Sequence, residues 1–181
     1  VAEYQEGLED QAFAFLLNEN VENLDEKSIF INNATFSEHI LIEESNRYFS
    51  LIDVLSDDKK AEINEHLAGE LLSKSFERNI CIDVSLHQNS GASIIQQLSF
   101  ALAKSKELVE KFGPEILDKL IFKFAVGSQY FFEIAKIRAF KYLFNQLSKE
   151  FGKDLIPYIF VETSLRNKSK NDQDNNLIRS T

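Results

Sequence analysis

Apolar residues first recur at helical spacing at Leu8, Ala12, Phe15 and Leu16, which predicts a helix over 8–18. IFINNA (29–34) reads as a short buried strand, while ILI (40–42) and YFSLI (48–52) are strand-like runs that periodicity alone leaves ambiguous. Ser56 followed by Asp57 and Asp58 reads as a helix start with acids in its first turn, and Ile63, Leu67 and Leu71 carry that helix to about Phe76. Residues 80–86 alternate cleanly, with Ile80, Ile82, Val84 and Leu86 on one face and Cys81, Asp83, Ser85 and His87 on the other. After the loop HQNSG the period becomes helical from Ala92, with Ile94, Leu98, Ala101, Leu108 and Val109 on one face and Gly113-Pro114 as the stop. LIFKFAV (120–126) is the next strand. Residues 129–149 form a helix whose apolar arc is broad enough to predict burial, with a polar stripe of Arg138, Lys141, Asn145 and Lys149. IPYIFVE (156–162) is a third strand, and beyond Thr163 the chain turns polar.

Strand, helix, strand, helix, strand is the alternation of βαβ units, so the expected fold class is α/β with a parallel sheet and right-handed crossovers. Each crossover takes about 35–40 residues, ordinary for such a unit with some extra helix. Neither GxGxxG nor GxxxxGK[ST] occurs, which leaves no support for a glycine-rich dinucleotide or phosphate loop. A barrel, or part of one, and an open sheet without a glycine signature both remain.

Composition narrows the partners rather than the fold. A single cysteine, Cys81, excludes an internal disulfide framework and a multi-cysteine metal site, and points to a reducing, cytoplasmic home. No run approaches the ~18 apolar residues of a membrane span, and no secretory signal pattern is expected. With a net charge of −9, general nucleic-acid binding is not expected, because neutralising phosphates needs net positive surface. The charge is uneven: residues 1–80 hold 18 acids and 6 bases, whereas 81–181 hold 11 acids and 14 bases. A solvated acidic surface explains this simply; a second half facing something anionic is the sharper reading.

Ligands of parallel α/β folds sit at the carboxyl ends of the strands. Three such ends can be read here: Ser85, His87, Gln88, Asn89 and Ser90; Gly127, Ser128 and Gln129; Glu162, Thr163, Ser164 and Arg166. If the strands are parallel, these groups share one rim, suited to a polar, amide-rich or phosphate-bearing molecule, with His87 able to act as a general acid. The plainer alternatives are a strand-end histidine bonded to a carbonyl, and a Glu162 paired with Arg138, Lys141 or Arg166. No Ser-His-Asp or Cys-His set stands out, and three scattered histidines with one cysteine make no metal site.

Two stretches resemble a known family. LHQNSGASIIQQLSFALAKSKELVEKFG (86–113), and the run from IFKFAVGSQYFFEIAKIRAFKYLFNQL (121–147) to VETSLRNKSKNDQDNNLIRST (161–181), are similar to the adenosylcobalamin-dependent methylmalonyl-CoA mutases. The resemblance covers about half of the chain in the right order; residues 1–80 carry no firm motif of the family. It implies a (β/α)₈ TIM barrel threaded by the CoA chain of the substrate, with a separate C-terminal domain holding the cobalamin. The cofactor supplies the radical for the rearrangement of methylmalonyl-CoA to succinyl-CoA. On that basis residues 1–181 are a single partial domain, about half of such a barrel, without the cobalamin-binding domain.

The departures point to one branch of the family. Catalytic members carry Tyr-His at the first strand end, where this chain has Leu86-His87, and Gln-Thr-Ser-Gly where it has Glu162-Thr163-Ser164-Leu165. The loop after His87 is one residue shorter. These changes resemble the catalytically silent small subunit of a heterodimer, which implies no catalytic residue on this chain. His87 and Glu162 occupy family-equivalent rim positions, and Ser85, His87, Asn89, Thr163 and Ser164 are the candidate substrate-facing groups. Adenosylcobalamin then belongs to the complex and not to this chain, and the partner is the large catalytic subunit. An acyl-CoA stays open as a ligand. Cutting a closed sheet exposes edges, so self-association is also expected. The alternatives are a catalytic mutase chain with relaxed motifs and an unrelated α/β ligand-binding domain.

Overall fold

Short apolar runs become strands when a neighbour completes their ladder, and among the described residues every ladder with a defined register is parallel. A computed structural model of the protein describes residues 14–17, 28–32, 48–55, 62–170 and 172–178. The chain divides into two compact units, Val1–Cys81 and Ile82–Thr181.

In the first unit, β1 (Ala14–Leu17), β2 (Ser28–Ile31) and β3 (Tyr48–Ser50) form a parallel sheet in chain order, with Ala14 opposite Ser28 and Ile29 opposite Tyr48. Further parallel bridges join Phe49 to Arg78 and Asp53 to Cys81. Phe30 stacks on Phe49 with ring centroids 5.0 Å apart, and Ile29 and Ile31 are fully buried. Residues 14–17 are therefore a strand and not part of the expected helix: four apolar residues carry too little periodicity to outvote a complete ladder with β2. The rest of 8–18, the 40–42 run and residues 56–61 lie outside the described residues. Helix α1 (Glu65–Ser73) starts later than expected, because Ile63 bridges antiparallel to Leu55 and Asn64 is the cap, its Oδ1 accepting from Leu67 N at 3.0 Å.

The chain enters the second unit within β4 (Ile80–Asp83), which neighbours β5 (Leu120–Val126), itself parallel to β6 (Tyr158–Thr163) with Phe122 opposite Ile159. Between them lie α2 (Ser85–Asn89), α3 (Ile94–Phe112) and α4 (Tyr130–Glu150), and α5 (Gln173–Ile178) follows. A capping box starts α3: Ser93 Oγ accepts from Gln96 N at 3.3 Å while Gln96 Oε1 accepts from Ser93 N at 2.8 Å. Gly113, at φ 84°, ends it as expected, its N–H donating to Val109 O at 2.8 Å.

Alternation along β5 sends Phe122 and Phe124 towards α4, where they meet Phe140 at 4.7 and 4.9 Å between centroids. The opposite face of β5 carries Ile121, Lys123 and Ala125. Only one stripe of α4, Lys136, Phe140, Phe144 and Ser148, is buried. Its apolar arc is wider than the layer beneath it, so Tyr130, Phe131, Phe132 and Tyr142 stay exposed, against the burial that the arc predicted. Among the described residues no helix is long and apolar enough to cross a membrane.

Candidate functional site

The carboxyl ends of β4, β5 and β6 meet. Val84 N donates to Lys123 O at 2.8 Å, and Ser164 N donates to Val126 O at 2.8 Å. Asn89 of α2 reaches the end of β6, its Oδ1 accepting from Ser164 Oγ at 3.1 Å and from Leu165 N at 2.9 Å. Gly127 lies among Gln88, Glu133 and Asn167; a Cβ there would stand 3.3–3.4 Å from their side-chain polar atoms. The common rim expected from the sequence is thus formed, and Asn89 and Ser164 join it at opposite sides.

What the rim groups face differs from expectation. The strand does not run to Leu86: Asp83 Oδ1 accepts from Ser85 N at 2.9 Å and from Ser85 Oγ at 2.5 Å, and that local bonding turns the chain into α2. Ser85 is buried by this contact. His87 rides on α2 instead of a strand tip, and its ring stacks on Phe100 of α3 with centroids 4.2 Å apart. Ser164 is buried against Asn89, whereas Thr163 is half-buried at the end of β6.

Glu162 pairs with none of the three basic residues weighed for it. Its Oε2 lies 3.2 Å from Lys123 Nζ, which also sits 3.4 Å from Asp83 Oδ2. Burial by itself would lower the Lys123 ammonium, but the facing carboxylates of Asp83 and Glu162 outweigh it and hold it above the ordinary 10.5. A lysine held between two carboxylates offsets part of their charge and ties Glu162 to the sheet. Periodicity pointed to this residue only faintly: Lys123 is the one charged residue in an otherwise apolar strand.

A second polar cluster was not legible. Lys136 stands opposite the polar stripe of α4 and is 1% exposed. Its Nζ donates to Ala125 O at 2.8 Å and Gln97 Oε1 at 3.2 Å and pairs with Glu133 Oε2 at 2.5 Å. Gln97 in turn donates to Gln88 Oε1 and, at 2.9 Å, to Ala92 O. Beside it an open groove of about 370 Å³ runs along α4 from Val126 and Tyr130 to Ile137 and Arg138.

The polar groups of the rim are turned on one another, and among the described residues no three His, Cys, Asp or Glu side chains converge as metal ligands.

Residues 72–181 match the family model described as Methylmalonyl-CoA mutase. The methylmalonyl-CoA mutase small subunit of Porphyromonas gingivalis is 38% identical over 102 residues, which cover 50% of this chain and 16% of that protein. The methylmalonyl-CoA mutase of Rhizobium meliloti is 31% identical over 129 residues, 66% of this chain and 18% of that protein, and the Escherichia coli enzyme is 32% identical over 102 residues, 51% and 14%. The chain thus spans less than a fifth of the length of these relatives. A match over more than half of the chain, taking in all three strands of the rim and the helices between them, leaves no room for an unrelated α/β domain: the chain belongs to the methylmalonyl-CoA mutase family.

Proposed function

We propose that this chain is part of the barrel domain of a small, non-catalytic mutase subunit, supporting a cobalamin-bearing large subunit in the isomerisation of methylmalonyl-CoA to succinyl-CoA. The observation that carries this reading is the Lys123 clamp on Glu162 at 3.2 Å. An unpaired carboxylate at that strand end would repel the carboxylate of the substrate and its thioester oxygen, and a paired one serves the sheet. Leu86 supports it further, because a leucine carries no phenol to pack against a substrate. The small-subunit relative at 38% identity agrees.

In this reading the parallel strands are a portion of a (β/α)₈ barrel, residues 1–181 act as one partial domain in a cytoplasmic protein, and adenosylcobalamin enters with the large subunit. Ser85, His87, Asn89, Thr163 and Ser164 shape the rim and hold it together instead of performing chemistry, while an acyl-CoA remains a candidate ligand of the complex. Open sheet edges lead the chain to self-associate when alone. The test is to purify the chain alone and together with a cobalamin-containing mutase large subunit, following sedimentation, cobalamin absorbance and methylmalonyl-CoA turnover. The expected result is co-purification, with turnover only in the complex. Turnover by the isolated chain would favour the catalytic-chain alternative.

A further inference from the structure

The alternation of Ile80, Ile82, Val84 and Leu86 encodes a longer strand than the one that forms. Ile80, Ile82 and Val84 are buried, but Leu86 is 59% exposed, since β4 stops at Asp83 and residues 85–89 coil into α2. The segment nevertheless starts along β5: Val84 N bonds Lys123 O, and the side-chain amide of Gln88 reaches the surroundings of Gly127. In a parallel ladder the next donor stands two residues on, so Leu86 N would bond Ala125 O. That amide has been drawn into the first turn of α2, where no intrahelical partner awaits it. Ala125 O accepts from Lys136 Nζ at 2.8 Å instead.

Lys136 is built into this position. Its side chain is fully buried; Nζ donates to Ala125 O and Gln97 Oε1 and is ion-paired with Glu133. Gln97 also holds Gln88 of α2, so the same cluster covers the stranded carbonyl and grips the helix that abandoned it.

We propose that Lys136 is a surrogate ladder donor that keeps residues 85–89 helical, and that the segment has a second encoded state. In that state β4 continues to Leu86, Leu86 N replaces Lys136 Nζ on Ala125 O, the Leu86 side chain joins the face of Ile82 and Val84, and His87 and Asn89 leave their places on the rim. The two states exchange one donor for another at a single carbonyl. The rim geometry therefore depends on a lysine of α4 that touches neither His87 nor Asn89.

The test is residue-resolved amide hydrogen exchange on the 181-residue chain and its Lys136→Met variant. The expected result is a Leu86 amide slowed about tenfold or more, as it gains a ladder bond, with the Gln88 and Ser90 amides accelerated about tenfold as their helical acceptors Val84 O and Leu86 O move away. Ser164 N, bonded to Val126 O, is expected to be unchanged. Unaltered exchange over 84–90 in a folded variant overturns the proposal, and so does acceleration of all these amides, Leu86 included, which would mean simple loosening. Should Lys136→Met fail to fold, the isosteric Glu133→Gln variant weakens the hold on the lysine and is expected to shift the same amides in the same directions about threefold; no shift there also overturns it. None of these readouts involves mutase activity, so the proposed function stands or falls separately.

Discussion

Replacing Lys123 with methionine leaves Asp83 and Glu162 facing each other across the place of a lost ammonium. The Nζ atom stands 3.4 Å from Asp83 Oδ2 and 3.2 Å from Glu162 Oε2, so those two oxygens are at most about 6.6 Å apart. At an effective dielectric near 20, each attraction is ~5 kcal/mol and the repulsion between the carboxylates at least ~2.5 kcal/mol. The desolvation of three charges offsets most of the attraction in the intact triad, so its net contribution is small. Removing only the cation keeps the desolvation and the repulsion. Breaking a buried pair in this way costs about 3–5 kcal/mol, and the lower end applies here because the Glu162 side chain is 33% exposed and the methionine preserves the packing of the lysine stem. The expected loss is therefore about 3 kcal/mol at pH 7, read from urea unfolding followed by circular dichroism.

The pH dependence gives a second check on the same variant. The pKa of Lys123 is raised in the folded chain, so its contribution is fully present below the unfolded value of 10.5 and is lost only as pH rises through the folded one. The gap between the two proteins should therefore stay constant from pH 7 up to the ordinary lysine value of 10.5 and narrow only above it. A Lys123→Met chain as stable as the original at pH 7, or a gap that closes below pH 10.5, would refute the reading of Lys123 as the ion-pair partner of Glu162.

Two further outcomes test the frame that carries the rim. Phe140 is fully buried against Phe122 and Phe124, so Phe140→Ala should cost about 4 kcal/mol in thermal or urea unfolding; a loss under about 1 kcal/mol would mean that the β5–α4 core is not packed as described. Ser93→Ala removes one half of the capping box at the start of α3 and should cost about 1 kcal/mol in the same assay, with rescue by Ser93→Asp, whose side chain caps as well.

Some of this architecture is written locally. The β5 strand coincides with its apolar run, α3 ends where Gly113-Pro114 ends it, and both follow from preferences that act within a few residues. The family motifs in 86–113 and 121–181 are likewise legible by inspection, as is the gathering of three strand ends, because parallel βαβ connectivity leaves the chain no other way to order them.

Tertiary structure decided the rest. Residues 14–17 join a sheet because β2 lies alongside, and a four-residue apolar run has no period of its own strong enough to resist. Glu162 finds Lys123 and not a nearer arginine, since the β5–β6 ladder makes them diagonal neighbours while 39 residues separate them in the chain. The end of β4 at Asp83 and the burial of Lys136 are one event: a carbonyl on β5 needs a donor, and whether it comes from Leu86 or from α4 depends on how the helix packs. Local pattern names the residues that can fill a role, but a buried hydrogen-bonding group is satisfied by whichever partner the fold brings within 3 Å, and sequence spacing does not carry that distance.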